Sequence, residues 1–460
     1  MRRYHARWVL PITSPPIRDG TVVEHAGRLA YVGPRAGAPP GEDRDLGDAV
    51  LLPGLVNAHT HLELTAFRGL LEDLPFAEWI RGLQRAKEAV MTPESFLDAA
   101  RLGVAEGVRA GVTTYGDCCD SGVSMRAMLE QGVRGIMYQE VFCPSPDPTL
   151  VRDRARELEA KVTVLRARET PLVHVGVSPH APYTVSDPLF AHLAQSRLPM
   201  AIHVAESEAE MQLVRDARGP FADGLRARGI PVCPRARTPV ELLARSGMLE
   251  AQPLLIHCVR TDEADIRSIA HADCPVAHCP VSNGKLGHGV APVLEMLRAG
   301  IRVGLGSDSM ASNNRMDLLE EARVAILMQR AVARKHDALS AARMLELATL
   351  GGARALGLNH RIGSLEPGKD ADLTAFSLSG ESAHPAYDPA TALLFSLGGT
   401  RALFVAVAGA VRVWEGRLLD EDTSLPHRLD AAARALASHT REEKDAVQPV
   451  DAAPSPHPAR

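Results

Sequence analysis

A chain of 460 residues can bury one large core and a smaller one, which excludes both a minimal domain and a long string of domains. Hydrophobic residues at 45% and charged residues at 23% are the make-up of an ordinary folded protein, and this excludes a disordered or fibrous chain. A formal charge of -5 supplies no basic surface for nucleic acid, so the expected partner is a small molecule.

Residues 1–50 alternate short β-prone runs with turn signals: Arg7–Leu10, Thr21–Val23 and Leu29–Val32, then a Pro and Gly cluster from Pro34 to Gly41. They predict the N-terminal part of a small β module. The apolar stretch after Met1–Arg7 breaks at Pro11, too short for a signal-peptide core, and no apolar run approaches the ~20 residues of a membrane span. Seven cysteines at irregular spacing make no disulfide framework and read as reduced thiols. A cytoplasmic protein is expected, with homo-oligomerisation left open.

From Leu51 the pattern changes to apolar strands alternating with helical segments, the signature of a parallel sheet. Strands are predicted at 51–58, 111–117, 133–141, 172–178, 199–205, 253–258, 273–278 and 301–307, eight in number, which is the count of a closed (β/α)8 barrel. Helices are predicted over 93–109 and 152–168, and a last pair over 316–334 and 338–357. The barrel is assigned to 51–360. Residues 361–420 turn β again at Ala371–Phe376, Ala402–Ala408 and Ala410–Trp414, and are expected to pack with residues 1–50 as one small composite β-sandwich. Residues 421–460 form a C-terminal extension whose last stretch, 448–460, is Pro- and Ala-rich and is expected to be disordered.

The chemistry concentrates where predicted strands end. His59 and His61 close the first strand and face one way, because alternate side chains of a strand share a face. His203, His257 and Asp308 close later strands, and a buried imidazole or carboxylate costs free energy unless something pairs with it. His59, His61, His203 and Asp308 offer three nitrogens and one carboxylate, a set suited to one divalent metal, Zn2+ before Fe2+ and poor for calcium. Glu206, three residues after His203, is placed to take a proton from an activated water and pass it on, and His257 to hydrogen-bond that water from the other side. Asp308 is expected to serve twice, as ligand and as proton acceptor. Taken separately, each has a structural reading: a satisfied core histidine, or a glutamate at a helix start. Four at strand ends together fit that reading poorly.

Pro53–His61, His203-x-x-Glu206, Ile256-His257, Gly306–Ser309 and Gly363–Leu373 occur in the order, and across nearly the whole chain, of the motifs of the amidohydrolase superfamily, which the sequence resembles. The resemblance implies a distorted barrel with a composite β-sandwich. It also implies a mononuclear site, since 172–179 holds no lysine for the bridge of binuclear members. In that branch the His-x-x-Glu glutamate moves protons to a ring nitrogen and to the leaving group. Phe67–Gly69 with Glu72–Trp79 resembles the segment covering the substrate in deaminases of adenosine-like nucleosides, and Ser178–Thr184 resembles their substrate-contacting loop. By that resemblance Trp79, Glu88 and His180 are substrate-binding residues, Glu88 for ribose hydroxyls, and Cys279–Leu286 lines the pocket mouth. Asn57–Leu64 is most similar to aminodeoxyfutalosine deaminases, whose substrate benzoate would be met by Arg68, Arg81, Arg85 or Arg134. The expected activity is hydrolytic deamination of a 6-aminopurine nucleoside, with aminodeoxyfutalosine as the first choice. The alternatives are S-adenosylhomocysteine, methylthioadenosine, adenosine or guanine deamination, triazine-type dechlorination, and a non-catalytic barrel that binds a partner.

Overall fold

The computed structural model describes residues 1–447, so 448–460, expected to be disordered, lie outside the described residues. Within it, four strands, Leu55–His61, Val112–Cys119, Arg134–Val141 and Val173–Pro179, run parallel in sequence order, and so do Ala201–Val204, Leu254–His257, Val276–His278 and Val303–Leu305. The two runs meet at both ends. Val177 bridges Met200 on one side, and Asp308–Ser309, just past the eighth strand, lies parallel to Thr60–His61 on the other. The pairing therefore passes from strand to strand in chain order and returns to the first, as in a (β/α) barrel. Every residue of the first three strands is buried, as expected of parallel strands covered on both faces.

The first predicted strand proves to be two. Ala49–Pro53 belongs to the terminal sheet, where it lies antiparallel to Leu373–Ser377, and the barrel strand begins at Leu55. Gly54 is the pivot: a Cβ there would stand 2.1 Å from the Thr113 hydroxyl oxygen, so only glycine lets the chain pass from one sheet to the other at this point. The terminal segments are joined by hydrogen bonds into one nine-stranded sheet, running from Arg417–Leu418 through Leu373–Ser377 and Ala49–Pro53 to Arg28–Pro34.

The helix over Pro93–Arg109 has its predicted bounds, set by a Thr92–Ser95 capping box with Pro93 in the first turn. That predicted over 152–168 starts earlier, at Pro148, because Asp147 caps it. The helix predicted over 338–357 is interrupted by a wide turn at Leu347–Gly351, where Gly351 and Gly352 lie against the backbone of Val303 and Val56. Leu425–Val447, in the C-terminal extension, is a helix lying across Phe76–Val90 and Pro93–Arg109, with Arg428 on Asp98 at 2.8 Å. None of the described helices is long and apolar enough to cross a membrane.

Arg134 is not a substrate contact. It sits at the start of the third barrel strand, the end away from the clustered histidines, with Nε 2.9 Å from Asp372 and Nη2 2.9 Å from Asp370. Two aspartates of the Gly363–Leu373 motif thus tie the terminal sheet to the barrel. With Arg134 1% exposed, Arg134→Met would strand buried carboxylate charge. We expect it to lower the unfolding free energy by about 3–5 kcal/mol in urea titration, and a loss below 1 kcal/mol would show the pair to be dispensable.

Candidate active site

At the carboxyl ends of the barrel strands, four residues expected from sequence converge. His61 Nε2 and His203 Nε2 face each other at 3.1 Å, and Asp308 Oδ1 lies 3.2 Å from His59 Nε2 and 3.8 Å from His61 Nε2. His203 Nδ1 donates to the His180 carbonyl oxygen at 3.0 Å, so the neutral ring turns the lone pair of Nε2 towards His61. Two such nitrogens this close repel unless a proton or a cation lies between them. Ligands of a tetrahedral zinc, each about 2.0–2.2 Å from the ion, stand about 3.3 Å from one another, so the observed spacing fits a single ion. Burial lowers the pKa of all three histidines, taking His203 to about 3, and keeps them neutral with lone pairs available. Burial alone would raise Asp308, but the contact with His59 and the neighbouring imidazoles of His257 and His61 hold it well below the usual carboxylate range.

Triads able to hold a metal overlap here: His59 with His257 and Asp308, His59 with Cys118 and His203, and His61 with Glu140 and His203. Neighbouring groups fix the first of these. Ser282 Oγ donates to Asp308 Oδ2 at 2.6 Å and Ser312 Oγ at 3.1 Å, while the Ser309 amide donates to Oδ1. Asn57 bonds both the amide and the hydroxyl of Ser307, binding the first strand to the turn that carries Asp308. Ala205, His257, Cys258 and Asp308 all have positive φ, between 49° and 72°, a conformation side-chain-bearing residues seldom adopt. Such strain gathers where a fold over-determines a functional geometry.

Glu206 stands beside the cluster, its Oε1 3.6 Å from His257 Nε2 and 3.3 Å from His288 Nε2. Burial would raise its pKa, but His257 and His288 more than offset this and lower it. Its loop is held from below by Glu210, which accepts the amides of Ala205 and Glu206. His257 Nδ1 donates to Asn283 Oδ1 at 2.9 Å, which leaves the Nε2 lone pair facing the site.

The expected substrate contacts divide. His180 is at the site, with Nδ1 on Thr184 and Nε2 3.9 Å from Glu140. Trp79 is buried one layer out, stacked on Phe76, which in turn meets His288 edge-on. Glu88 is not brought to the cluster. It is exposed and bonded to Gln84 on the outer face of its helix, whereas its neighbour Lys87 turns inward to Asp120 and Glu63. Sequence reasoning also missed three groups. His288 carried a signal in Gly287-His288-Gly289, directly after the Cys279–Leu286 motif. Glu140 closes an apolar strand as His203 does, and its Oε1, 4.0 Å from His61 Nδ1, has no hydrogen bond among the described residues. Phe221, which no motif marked, stacks at 4.4 Å on Tyr183 of the Ser178–Thr184 loop and joins Phe76 and Trp79 in an aromatic cover.

Residues 50–411 match the model of the amidohydrolase family. The chain is 34% identical over 413 residues to a 5-methylthioadenosine/S-adenosylhomocysteine deaminase of Syntrophobacter fumaroxidans, covering 87% of this chain and 89% of that one. It is similar to the zinc-bound crystal structure of an adenosine deaminase from Xanthomonas campestris, with a TM-score of 0.83 and 32% identity over 96% of this chain and 98% of that one. An atrazine chlorohydrolase from Arthrobacter aurescens, complexed with zinc, has a TM-score of 0.80 and 26% identity over 95% of this chain and all (100%) of that one.

Below the cluster, buried Asp117 accepts from the Thr60 hydroxyl and the Leu62 amide, fixing the chain on either side of His61. Burial pushes its pKa from 3.8 up to about 7, so the folded chain holds this proton more tightly than the unfolded one. That contribution to stability is complete below about pH 4 and is lost as pH rises to about 7. Asp117→Asn keeps an acceptor oxygen and stays neutral. Its unfolding free energy relative to the unsubstituted chain is therefore expected to improve between pH 5 and pH 8, and urea titrations showing the same difference at both values would mean that Asp117 is ionised throughout.

Proposed function

The chain belongs to the amidohydrolase family, and we propose that it is a metal-dependent deaminase that replaces the exocyclic amine of a 6-aminopurine nucleoside with oxygen. The observation that carries this is Glu206 standing beside the convergence of His59, His61, His203 and Asp308, with the His257 lone pair facing the same space. These four residues would hold one divalent ion, and zinc suits the three-nitrogen, one-oxygen set. When bound, the ion supplies Lewis acidity, lowering the pKa of water into the range where hydroxide is available at neutral pH.

The chain's own groups do the rest. The lone pair of His257 Nε2 accepts a hydrogen bond from the attacking water and aims its oxygen at the carbon bearing the amine. Glu206 takes one proton from that water and delivers it to the adjacent ring nitrogen. Asp308 takes the second proton and returns it to the departing amine, so that ammonia leaves, a carbonyl remains and both carboxylates end as they began. His180 is the nucleoside contact on the opposite wall, and the aromatic cover of Phe76 and Tyr183 keeps bulk water from the reacting centre.

Among nucleosides, the curated relative's name favours adenosines substituted at the 5′ position, methylthioadenosine and S-adenosylhomocysteine. Aminodeoxyfutalosine is the narrower reading. It rests on the Asn57–Leu64 motif, with Arg68, bonded to Glu106 near Met310, as one of the three remaining arginines for its carboxylate.

Ammonia release from aminodeoxyfutalosine, S-adenosylhomocysteine, methylthioadenosine, adenosine and guanine is the direct test, with chloride release from a chlorotriazine as a further arm. Turnover of guanine alone, or of the triazine alone, would overturn the nucleoside reading. Chelation should abolish turnover and zinc restore it. Glu206→Gln should keep its zinc and lose roughly 10²- to 10⁴-fold in kcat, the usual share of a general acid–base, and unchanged turnover would remove Glu206 from the proton route.

A further inference from the structure

Glu206 has a second imidazole neighbour that the chemistry above does not use. His288 is 4% exposed, and its Nε2, which makes no hydrogen bond among the described residues, lies 3.3 Å from Glu206 Oε1. It is presented by a turn made for it: Gly287 and Gly289 have φ of 71° and 105°, which side chains disfavour, and the His288 amide donates to the Asn283 carbonyl at 2.9 Å. Asn283 also accepts from His257 Nδ1, so one residue anchors both rings that meet the carboxylate.

The two imidazoles differ in what they can do. His257 spends its N–H on Asn283, so when neutral it has only a lone pair to turn towards Glu206. His288 is then the neighbour able to give the buried carboxylate an N–H while remaining neutral. Phe76 lies edge-on to the His288 ring, 4.6 Å between centroids, and Glu206 itself is 3% exposed.

We propose that His288 is a positioning residue for the deamination: its Nε2–H holds Oε1 of Glu206, so that Oε2 is the oxygen that carries protons between water and substrate. This rests on the deaminase reading. A carboxylate that must accept and release a proton in one turnover needs a fixed rotamer more than a strong partner, and a neutral donor supplies this without locking the proton in place.

The test compares two substitutions with the zinc-loaded protein. His288→Phe fills the space beside Phe76 but has no donor, whereas His288→Gln keeps an N–H. In the Phe variant kcat should fall roughly 10- to 100-fold, the loss of one hydrogen bond to a charged group, with KM within about twofold of the unsubstituted protein. Zinc content should not change, and the Gln variant should recover most of the rate. Affinity for coformycin, an analogue of the hydrated purine, should fall in parallel with kcat, while affinity for the deaminated product should not. Crystal structures should show the Glu206 carboxylate displaced in the Phe variant and in place in the Gln variant. Full activity in the Phe variant, equal losses in both variants, or loss of zinc would each overturn the assignment. If the unsubstituted protein deaminates nothing in the nucleoside panel, the functional reading fails on its own, and the Glu206 rotamer in the two crystal structures still decides what His288 does.

Discussion

Asp308 is the group on which the site turns. It is a buried carboxylate, and a buried charge of this kind persists only when hydrogen bonds and opposite charge replace the water it has lost. Here the replacement is complete on one side and open on the other. Ser282, Ser312 and the Ser309 amide satisfy the side facing the barrel wall, and His59 and His61 lie on the side facing the cavity. The serines orient the carboxylate without neutralising it, so its charge is directed at the three imidazoles. The same arrangement explains the strained backbone. Asp308 at φ 58° and His257 at φ 72° bring side chains from separate strands towards one point, a cost of roughly 1–3 kcal/mol each that only a tightly braced core can hold.

Bracing of that kind comes from outside the site. The Asn57 clasp on Ser307 joins the first barrel strand to the eighth, Glu210 supports the Glu206 loop, and Asp117 secures the chain next to His61. Further out, Arg134 with Asp370 and Asp372 ties the terminal sheet to the barrel at the opposite end of the strands. The Gly363–Leu373 motif therefore belongs to assembly rather than to chemistry, although in the sequence it stood beside the site motifs.

Strand positions were legible because most of the eight barrel strands are short runs dominated by apolar residues, as parallel strands buried on both faces require. The residues ending those strands were legible for the same reason: His59, His61, His203, His257 and Asp308 are polar endings to hydrophobic runs. Failures have equally local causes. The run 51–58 looked continuous because Gly54 is a minor interruption in sequence, yet its missing side chain is what divides two sheets. Glu88 was placed by likeness one residue from the inward-facing position, and on a helix one residue turns a side chain by about 100°, here from the interior to solvent. His288 lies in a loop and Phe221 on a helix, where no period marks a side chain that meets another far away in the chain. Glu140 obeyed the strand-end rule and was still passed over, since a carboxylate at position 140 does not extend a histidine motif.

The cover completes the electrostatics. Phe76, Trp79, Tyr183 and Phe221 form an apolar layer that meets His288 through Phe76 and His180 through Tyr183, and the C-terminal helix adds Leu436 to the same cluster. Removing water from above the site strengthens every charge interaction beneath it, which is why two carboxylates and several neutral imidazoles can be held within a few ångströms and still have separate tasks. Their separation depends on partners more than on distance. Asp308 is bonded by serines on one side and faces His59 and His61 on the other, while Glu206 has His257 and His288 at one of its two oxygens. On the proposed function, an apolar roof over an asymmetrically bonded pair of carboxylates is the feature that would let one small cavity act as base and then as acid within a single turnover.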